Sequence, residues 1–143
     1  MTKTLKFDRT YPHAPEKVWR ALTERTALAE WLMPNDFEPR VGHKFNFRTQ
    51  PQPGFDGIVH CEVLECEALS RLAYSWEGGD LKTVVTWMLE PAPGGTKLHM
   101  EQAGFEGERG IWVSEILERG WNEMFDQGLP AVIEGRSTEA CHA

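Results

Sequence analysis

Histidines are the first side chains to consider for chemistry, because a hydrolytic triad needs a base in reach of a nucleophile and an orienting group. His60 and His99 fall in strand-like segments on the side opposite the apolar residues, so they should point outward. His13 and His43 lie in loops, where we expect them to be solvated. The sequence contains no nucleophile elbow, phosphate loop or dinucleotide fingerprint. We therefore expect no catalytic residues.

The three cysteines, Cys61, Cys66 and Cys141, do not indicate a disulfide or a metal site. Cys61 and Cys66 are five positions apart, so on one continuous strand they should face opposite sides. Cys141 precedes His142 in a polar tail, and two adjacent ligands do not make a site. An odd number of cysteines without an export signal indicates free thiols in a reducing cytoplasm. We expect no metal and no cofactor.

Three polar side chains share the inward side of strands with apolar neighbours: Arg9, Tyr74 and Gln102. Arg9 is the most informative, because a charge on the core side of a strand needs a partner or an opening to water. We favour a salt bridge to Glu65 or to another carboxylate at the sheet edge. The alternative is an anchor at a pocket mouth for a carboxylate or enol oxygen of a ligand, since binding pockets combine apolar walls with a few polar groups.

The elements that position these side chains follow from the apolar pattern. Residues 4–11 alternate as a half-buried strand, and five further alternating segments lie between residues 44 and 102. Their short connections predict antiparallel pairing, because parallel strands need a long crossover. Between the first two strands, Pro15 suits the first turn of a helix, and Pro34 ends a second short helix that carries Trp31.

The last third of the chain predicts one long amphipathic helix. Pro130 should kink this helix, because its ring opposes the carbonyl of Asp126. One face of the sheet and one stripe of the helix must both be buried, so the helix should lie across a curved antiparallel sheet. Between Ser114 and Glu134, apolar residues recur every three or four positions, at Ile116, Leu117, Trp121, Met124, Phe125, Leu129, Val132 and Ile133.

Composition limits the class of protein. The chain has 143 residues, and we expect one domain over residues 1–143 with a loose tail at 136–143. Its formal net charge of −7 disfavours a nucleic-acid surface, which needs clustered Lys and Arg, and also disfavours docking on anionic lipid. No apolar run reaches the length of a membrane span, and the first residues have no signal-peptide core. We expect a cytoplasmic protein that binds neither nucleic acid nor membrane.

Six sequence blocks together resemble the START-like helix-grip superfamily (SRPBCC). They read RTYPHAPEKVWRALT, LAEWLMP, VGHKFNFR, RLAYSWEG, GGTKLHMEQAGF and ERGWNEMFDQGLPAVIEG. Within it, the chain is similar to the activator-of-heat-shock-protein-90-ATPase homologue family, and the resemblance covers residues 5–135. It implies an α+β fold of the helix-grip (START-like, birch-pollen-allergen-like) type. In that fold, a curved six-stranded antiparallel sheet wraps around a long C-terminal helix, and two short helices follow the first strand.

The resemblance also implies a deep pocket between the sheet and the C-terminal helix. Superfamily members bind lipids, hormones or polyketides, and some are cyclases. The family name comes from eukaryotic cochaperones, which suggests a stress response. Those cochaperones carry an additional N-terminal chaperone-binding domain, for which this chain has no room, so we do not expect a chaperone partner.

Three functional hypotheses stay open. The first is non-catalytic binding of a small hydrophobic or aromatic molecule in the cavity. The second is a cyclase- or hydrolase-like enzyme with Arg9, Tyr74 or Gln102 as polar groups. The third is an interaction module, either cochaperone-like or a homodimer, and a closed core without a cavity would favour it. The predicted ligand-binding residues are Arg9, Trp31, Phe45, Phe47, Cys61, Tyr74, Trp76, Trp87, Met100, Gln102, Trp121, Met124 and Phe125.

Overall fold

The structure is built on a single six-stranded antiparallel sheet, as the sequence predicts. A computed structural model describes residues 2–51, 55–79 and 81–134. The strands lie in the order β1-β6-β5-β4-β3-β2. Their bounds are β1 Thr2–Tyr11, β2 Lys44–Arg48, β3 Ile58–Glu67, β4 Arg71–Gly78, β5 Leu81–Ala92 and β6 Gly95–Glu106. The α+β helix-grip prediction is confirmed. The predicted tail at 136–143, with Cys141 and His142, lies outside the described residues.

Burial alternates along the strands as the sequence predicts. On β6, Leu98, Met100 and Gln102 are buried, whereas Lys97 is exposed and His99 is only partly buried. The buried side faces the helices and forms one core with them. The alternation of successive side chains between the two faces of a strand therefore decides which of them reach the interior.

The predicted orientation of the two strand cysteines is wrong, because β3 contains a bulge. The register shifts between Val63 and Glu65, so that Cys66 pairs with Leu72 on β4. Leu72 is buried on the inner face, and directly paired residues of antiparallel strands point to the same side. Cys66 therefore lies on the same face as Cys61, and both are free thiols. An extra residue in a strand reverses the parity of every residue after it.

The two predicted short helices follow β1. They are α1, Pro15–Thr23, and α2, Arg25–Trp31, and Pro15 occupies the first turn of α1. Trp31 fixes α2 to its neighbours, because its Nε1–H donates to the carbonyl of Ala21 at 2.8 Å. Its indole also meets the edge of Trp87 on β5, with ring centroids 5.9 Å apart. The short helices thus close one side of the interior.

The C-terminal helical region begins earlier than the sequence predicts. Helix α3 is Gly107–Glu123, a start seven residues before Ser114. The first turn, GERG, has two glycines and no apolar residue, so periodicity gives no signal there. Ile116 also departs from the prediction, since it is exposed rather than buried. In the middle of α3, therefore, part of the predicted apolar stripe is exposed to solvent.

Pro130 is accommodated by a widened turn. Residues Met124–Gly128 form a π-helical turn, followed by α4, Leu129–Ile133. The N–H of Leu129 donates to the carbonyl of Met124, five residues earlier. Pro130 has no N–H to offer the carbonyl of Asp126, so the α-helical pattern cannot continue unchanged. We call residues 107–133 the C-terminal helix.

No helix in the described part of the chain combines the length and apolar character that a membrane crossing needs.

Candidate functional site

Most of the predicted site residues meet between the sheet and the helices. The inner face of the sheet contributes eight buried side chains: Phe45, Phe47, Cys61, Tyr74, Trp76, Trp87, Met100 and Gln102. Trp31 comes from α2, and Trp121 and Phe125 come from the C-terminal helix. Met124 is partly buried against this core, and Arg9 lies at its edge. Strand parity and helical periodicity assigned these residues to inward faces, and their role in ligand binding stays a prediction.

Trp121 is the centre of one half of the interior. Its ring centroid lies 5.5 Å from that of Trp76 and 5.7 Å from that of Trp87. Phe125 stacks on it at 5.6 Å with an interplanar angle of 15°. These are contact separations for aromatic rings. The C-terminal helix is therefore seated directly on the sheet through Trp121 and Phe125.

Tyr74 is the centre of the other half. Phe45 lies 5.3 Å from it and Phe47 6.1 Å, measured between ring centroids. Phe37 also approaches Tyr74, at 6.3 Å, and is fully buried. Sequence reasoning missed Phe37 because it stands in a loop without periodicity. Its only signal is that it is the one apolar residue in the polar stretch PNDFEPR.

One chain of hydrogen bonds and one separate hydrogen bond connect polar groups among these rings. Trp121 donates its Nε1–H to Oε1 of Gln102 at 2.9 Å, and Gln102 donates from Nε2 to Oγ1 of Thr83 at 3.0 Å. Thr83 in turn donates to the carbonyl of Trp76 at 2.9 Å. All of these side chains are buried. Buried polar groups need such partners, and Thr83 is a member that the sequence did not single out.

In the separate hydrogen bond, Trp87 donates its Nε1–H to the hydroxyl of Tyr74 at 2.9 Å. Tyr74 is 1% exposed. Burial raises the pKa of Tyr74 well above its usual range, so the phenol stays protonated and remains a donor. Burial likewise raises the pKa of the neighbouring Cys61 thiol, which keeps it neutral and unreactive.

Arg9 forms a salt bridge, but its partner is not Glu65. Its Nε lies 2.7 Å from Oδ1 of Asp126, and its second terminal nitrogen lies 2.6 Å from Oδ1 of Asn122. The guanidinium also sits 5.9 Å from the ring centroid of Phe125. Glu65 pairs instead with Arg71, since β3 is four strands away from β1. The expected salt bridge to another carboxylate at the sheet edge is confirmed, and that carboxylate is Asp126.

The backbone of the π-helical turn is held at the same edge. Tyr11 on β1 donates its buried hydroxyl to the carbonyl of Phe125 at 2.8 Å. Together with the bond from Arg9 to Asp126, this ties the turn to β1 through two side-chain hydrogen bonds, and Arg9 also holds Asn122 at the end of α3. Neither Asn122 nor Asp126 was identified from the sequence, because both belong to the wet face of the predicted helix. Only the position of the helix on the sheet reveals their role.

The predicted exposure of the histidines holds in the strands but not in the loops. His60 is exposed, and His99 lies on the outer face between two carboxylates, so the outward prediction holds for both. The prediction of solvated loop histidines is wrong for His13 and His43, which are both partly buried. His43 stacks on Phe45 and contacts the carbonyl of Asp36 through Nε2 at 2.9 Å. Each of these loops folds back onto the domain, which local sequence does not indicate.

Within residues 2–51, 55–79 and 81–134, no three histidine, cysteine or acidic side chains are grouped so as to hold a metal ion.

Comparisons with known proteins agree with this architecture. The sequence matches the family model "Activator of Hsp90 ATPase homolog 1-like protein" over residues 12–134. It is similar to protein MLL2253 from Mesorhizobium loti, with 38% identity and a TM-score of 0.84, over 92% of this chain and 97% of that one. It is also similar to protein BH1534 from Bacillus halodurans, with 26% identity and a TM-score of 0.78, over 93% and 99%.

A third structure, CalU16 from Micromonospora echinospora, has 23% identity and a TM-score of 0.72, over 92% of this chain and 76% of that one. At that identity the likeness shows the fold alone. Among curated proteins, none matches the sequence.

Proposed function

Since the chain belongs to the Activator of Hsp90 ATPase homolog 1-like family, we propose that it binds a small aromatic or hydrophobic molecule between the sheet and the C-terminal helix. The ligand carries an oxygen atom that accepts a hydrogen bond. Binding is non-catalytic and takes place in the cytoplasm, where the free thiols of Cys61 and Cys66 stay reduced.

The hydroxyl of Tyr74 is the observation that carries this proposal. It accepts a hydrogen bond from Trp87, but no group in the described part of the chain accepts its own proton. A buried donor without an acceptor costs free energy, which a suitably placed ligand oxygen would remove. Gln102 offers a further donor nearby, because only one of its two amide N–H groups is used by the described residues. Aromatic walls with a few donors are typical of small-molecule sites.

Entry of the ligand requires part of the interior to open. Trp121 and Phe125 are in contact with the rings of the sheet, so a ligand must displace them. The π-helical turn at Met124–Gly128 is the natural place for this movement, because Pro130 already interrupts the α-helical bonding there. The contacts of Arg9 and Tyr11 at the sheet edge hold the closed form.

Three ligands with the same ring system test the proposal: 2-naphthoic acid, 2-acetylnaphthalene and naphthalene. The first two carry an oxygen acceptor and the third does not. Calorimetric titration should show tighter binding of the two acceptor ligands to the wild-type protein. In Tyr74→Phe, which keeps the ring and loses the hydroxyl, their advantage over naphthalene should fall by about 2- to 10-fold, the worth of one hydrogen bond.

Tyr11→Phe is the matched control, since it removes another buried hydroxyl whose proton is already bonded within the protein. It should leave the preference for acceptor ligands unchanged. If the wild-type protein binds none of the three saturably, or if Tyr74→Phe keeps the full preference, the proposed site is wrong.

A further inference from the structure

The side-chain amide of Gln102 is held in one orientation by Thr83. The hydroxyl of Thr83 gives its single proton to the carbonyl of Trp76 at 2.9 Å, so it can only accept from Gln102. It accepts from Nε2 at 3.0 Å. The carbonyl oxygen Oε1 of Gln102 therefore faces Trp121 on the C-terminal helix. Both Gln102 and Thr83 are buried, so these bonds are shielded from bulk water.

The bond from Trp121 to Gln102 cannot survive when an aromatic ligand lies between the sheet and the helix. Nε1 of Trp121 and Oε1 of Gln102 are 2.9 Å apart. A ring inserted between the two elements adds about 3.5 Å, the contact distance of carbon atoms, and a hydrogen bond does not reach that far. Among the described residues, Trp121 is the donor that Oε1 has. Its displacement leaves a buried acceptor without a hydrogen, while Thr83 still holds the amide in place.

We propose that the ligand replaces the indole N–H of Trp121 with a donor of its own, a hydroxyl or N–H group that donates to Oε1 of Gln102. This inference rests on the interior site proposed above and narrows the class of its ligand. The same molecule carries the oxygen that accepts from Tyr74. A buried acceptor without a partner costs free energy, so a ligand that lacks the donor binds more weakly.

The sheet places these two contacts at opposite ends of the ligand. Tyr74 pairs with Val85 on β5, and Val85 pairs with Gln102 on β6. Since neighbouring strands lie about 4.8 Å apart, the Cα atoms of Tyr74 and Gln102 are about 10 Å apart. The hydroxyl of Tyr74 bonds to Trp87, two residues after Val85, whereas the amide of Gln102 bonds to Thr83, two residues before it. The ligand class is therefore a fused aromatic ring system with a carbonyl at one end and a hydroxyl or N–H at the other.

Calorimetric titration with two ligands of equal size tests the inference. Both are 2-acetylnaphthalenes, with either a hydroxyl or a methyl group at position 6 of the ring system. The wild-type protein should bind the hydroxyl ligand more tightly. In Gln102→Met, which keeps a side chain of similar shape without the acceptor, the ratio of the two dissociation constants should fall by about tenfold, the worth of one hydrogen bond to a buried group. Each ratio is taken within one variant, so a change in its stability cancels.

Thr83→Val tests the positioning role of Thr83 and decides the matter alone if Gln102→Met does not fold. Without the hydroxyl of Thr83, the amide of Gln102 can turn, and the preference for the hydroxyl ligand should also fall. Thr96→Val is the matched control, because Thr96 is a buried strand residue whose hydroxyl donates to the carbonyl of His13 at 2.7 Å, six residues from Gln102 along β6. It should keep the wild-type ratio.

The outcomes separate this inference from the function on which it rests. If the wild-type protein binds the methyl ligand as tightly as the hydroxyl ligand, or if Gln102→Met or Thr83→Val keeps the wild-type ratio, the inference is overturned. Binding of 2-acetylnaphthalene that depends on Tyr74 would then still support the proposed function. If neither ligand binds the wild-type protein saturably, both the proposed function and this inference are wrong.

Discussion

At the scale of single residues, His99 is the best defined titratable contact. Its Nδ1 lies 2.7 Å from a carboxylate oxygen of Asp8, and its Nε2 lies 2.7 Å from one of Glu101. The hydrogen bond to Glu101 is the main cause that raises the pKa of His99, with Asp8 adding to it and burial opposing it. The hydrogen bond from His99 lowers the pKa of Asp8 in turn. When it is protonated, His99 donates to both carboxylates and joins β1 to β6 on the outer face.

The first prediction is the pH dependence of this contact. Because the folded pKa of His99 lies above the ordinary value near 6.5, its stabilisation is fully present below that pH and is lost as pH rises through the folded pKa. His99→Gln should therefore be less stable than wild type by about 1 kcal/mol or less near pH 6, and equal to it in alkaline solution. Urea unfolding at several pH values measures the difference.

His60→Gln is the control for that series, because His60 is exposed on the same outer face and forms no salt bridge with another described residue. If His99→Gln and His60→Gln give parallel pH curves, the raised pKa of His99 is wrong.

Arg9 gives the second prediction at the residue scale. Its side chain is 27% exposed, so its pair with Asp126 is partly screened, and Arg9→Met should cost about 1 kcal/mol of stability. If Arg9 also anchors acidic ligands, the substitution should weaken 2-naphthoic acid about tenfold and 2-acetylnaphthalene much less. Arg71→Met, which breaks the pair with Glu65, is the control and should leave both affinities unchanged. Equal loss for both ligands would show that Arg9 is only a structural pair.

At the scale of elements, strands and helices with a regular apolar pattern can be predicted from the sequence, whereas interruptions of that pattern are harder to predict. Alternation gave the six strands and the inward residues, because a strand with one buried face must alternate. The bulge after Val63 adds a residue to a regular pattern, and nothing in the local sequence fixes where it enters, whereas Pro130 marks the place of the π-helical turn in advance. The error for Cys66 comes from extending the alternation through the bulge, and the late predicted start of α3 comes from the absence of any apolar residue in GERG. Loop residues such as Phe37 belong to no periodic pattern, so periodicity does not predict their burial.

The C-terminal helix gives the third prediction. A chain that ends at residue 119 loses the buried side chains Trp121, Phe125, Leu129 and Ile133. Each is worth about 1.5–3 kcal/mol, and together they rival the total stability of about 5–15 kcal/mol of a typical domain. The truncated chain should show no cooperative thermal transition. A chain that ends at residue 134 keeps all four and should melt like the full chain, whereas a cooperative melt of the shorter chain near that temperature contradicts this role.

At the scale of the whole molecule, the set of residues that meet in the interior was predictable, but their contacts were not. Parity and periodicity assign each residue to a face, and the fold family then brings the faces together. The partner of Arg9 depends on how the helix is placed along β1, which no single element specifies. The same holds for the donor and acceptor pairs of Tyr74 and Gln102. The closed packing of the rings is likewise a property of the assembled molecule.

The last prediction concerns how the free energy of opening differs between the sheet and the C-terminal helix. The ladders β1–β6 and β5–β6 join these three strands over many residues, whereas the end of the C-terminal helix is held to β1 by Arg9 and Tyr11. Segments with fewer bonds to the rest open at lower free energy. Native-state hydrogen exchange should therefore give amides of residues 121–133 protection lower by about tenfold or more than amides of β5 and β6. Saturating 2-acetylnaphthalene should change exchange in the helical segment selectively, because a bound ligand displaces Trp121 and Phe125 of that segment from the rings of the sheet. If the helix and the sheet exchange with one common free energy, the interior opens only by global unfolding, and entry of a ligand through the π-helical turn is excluded.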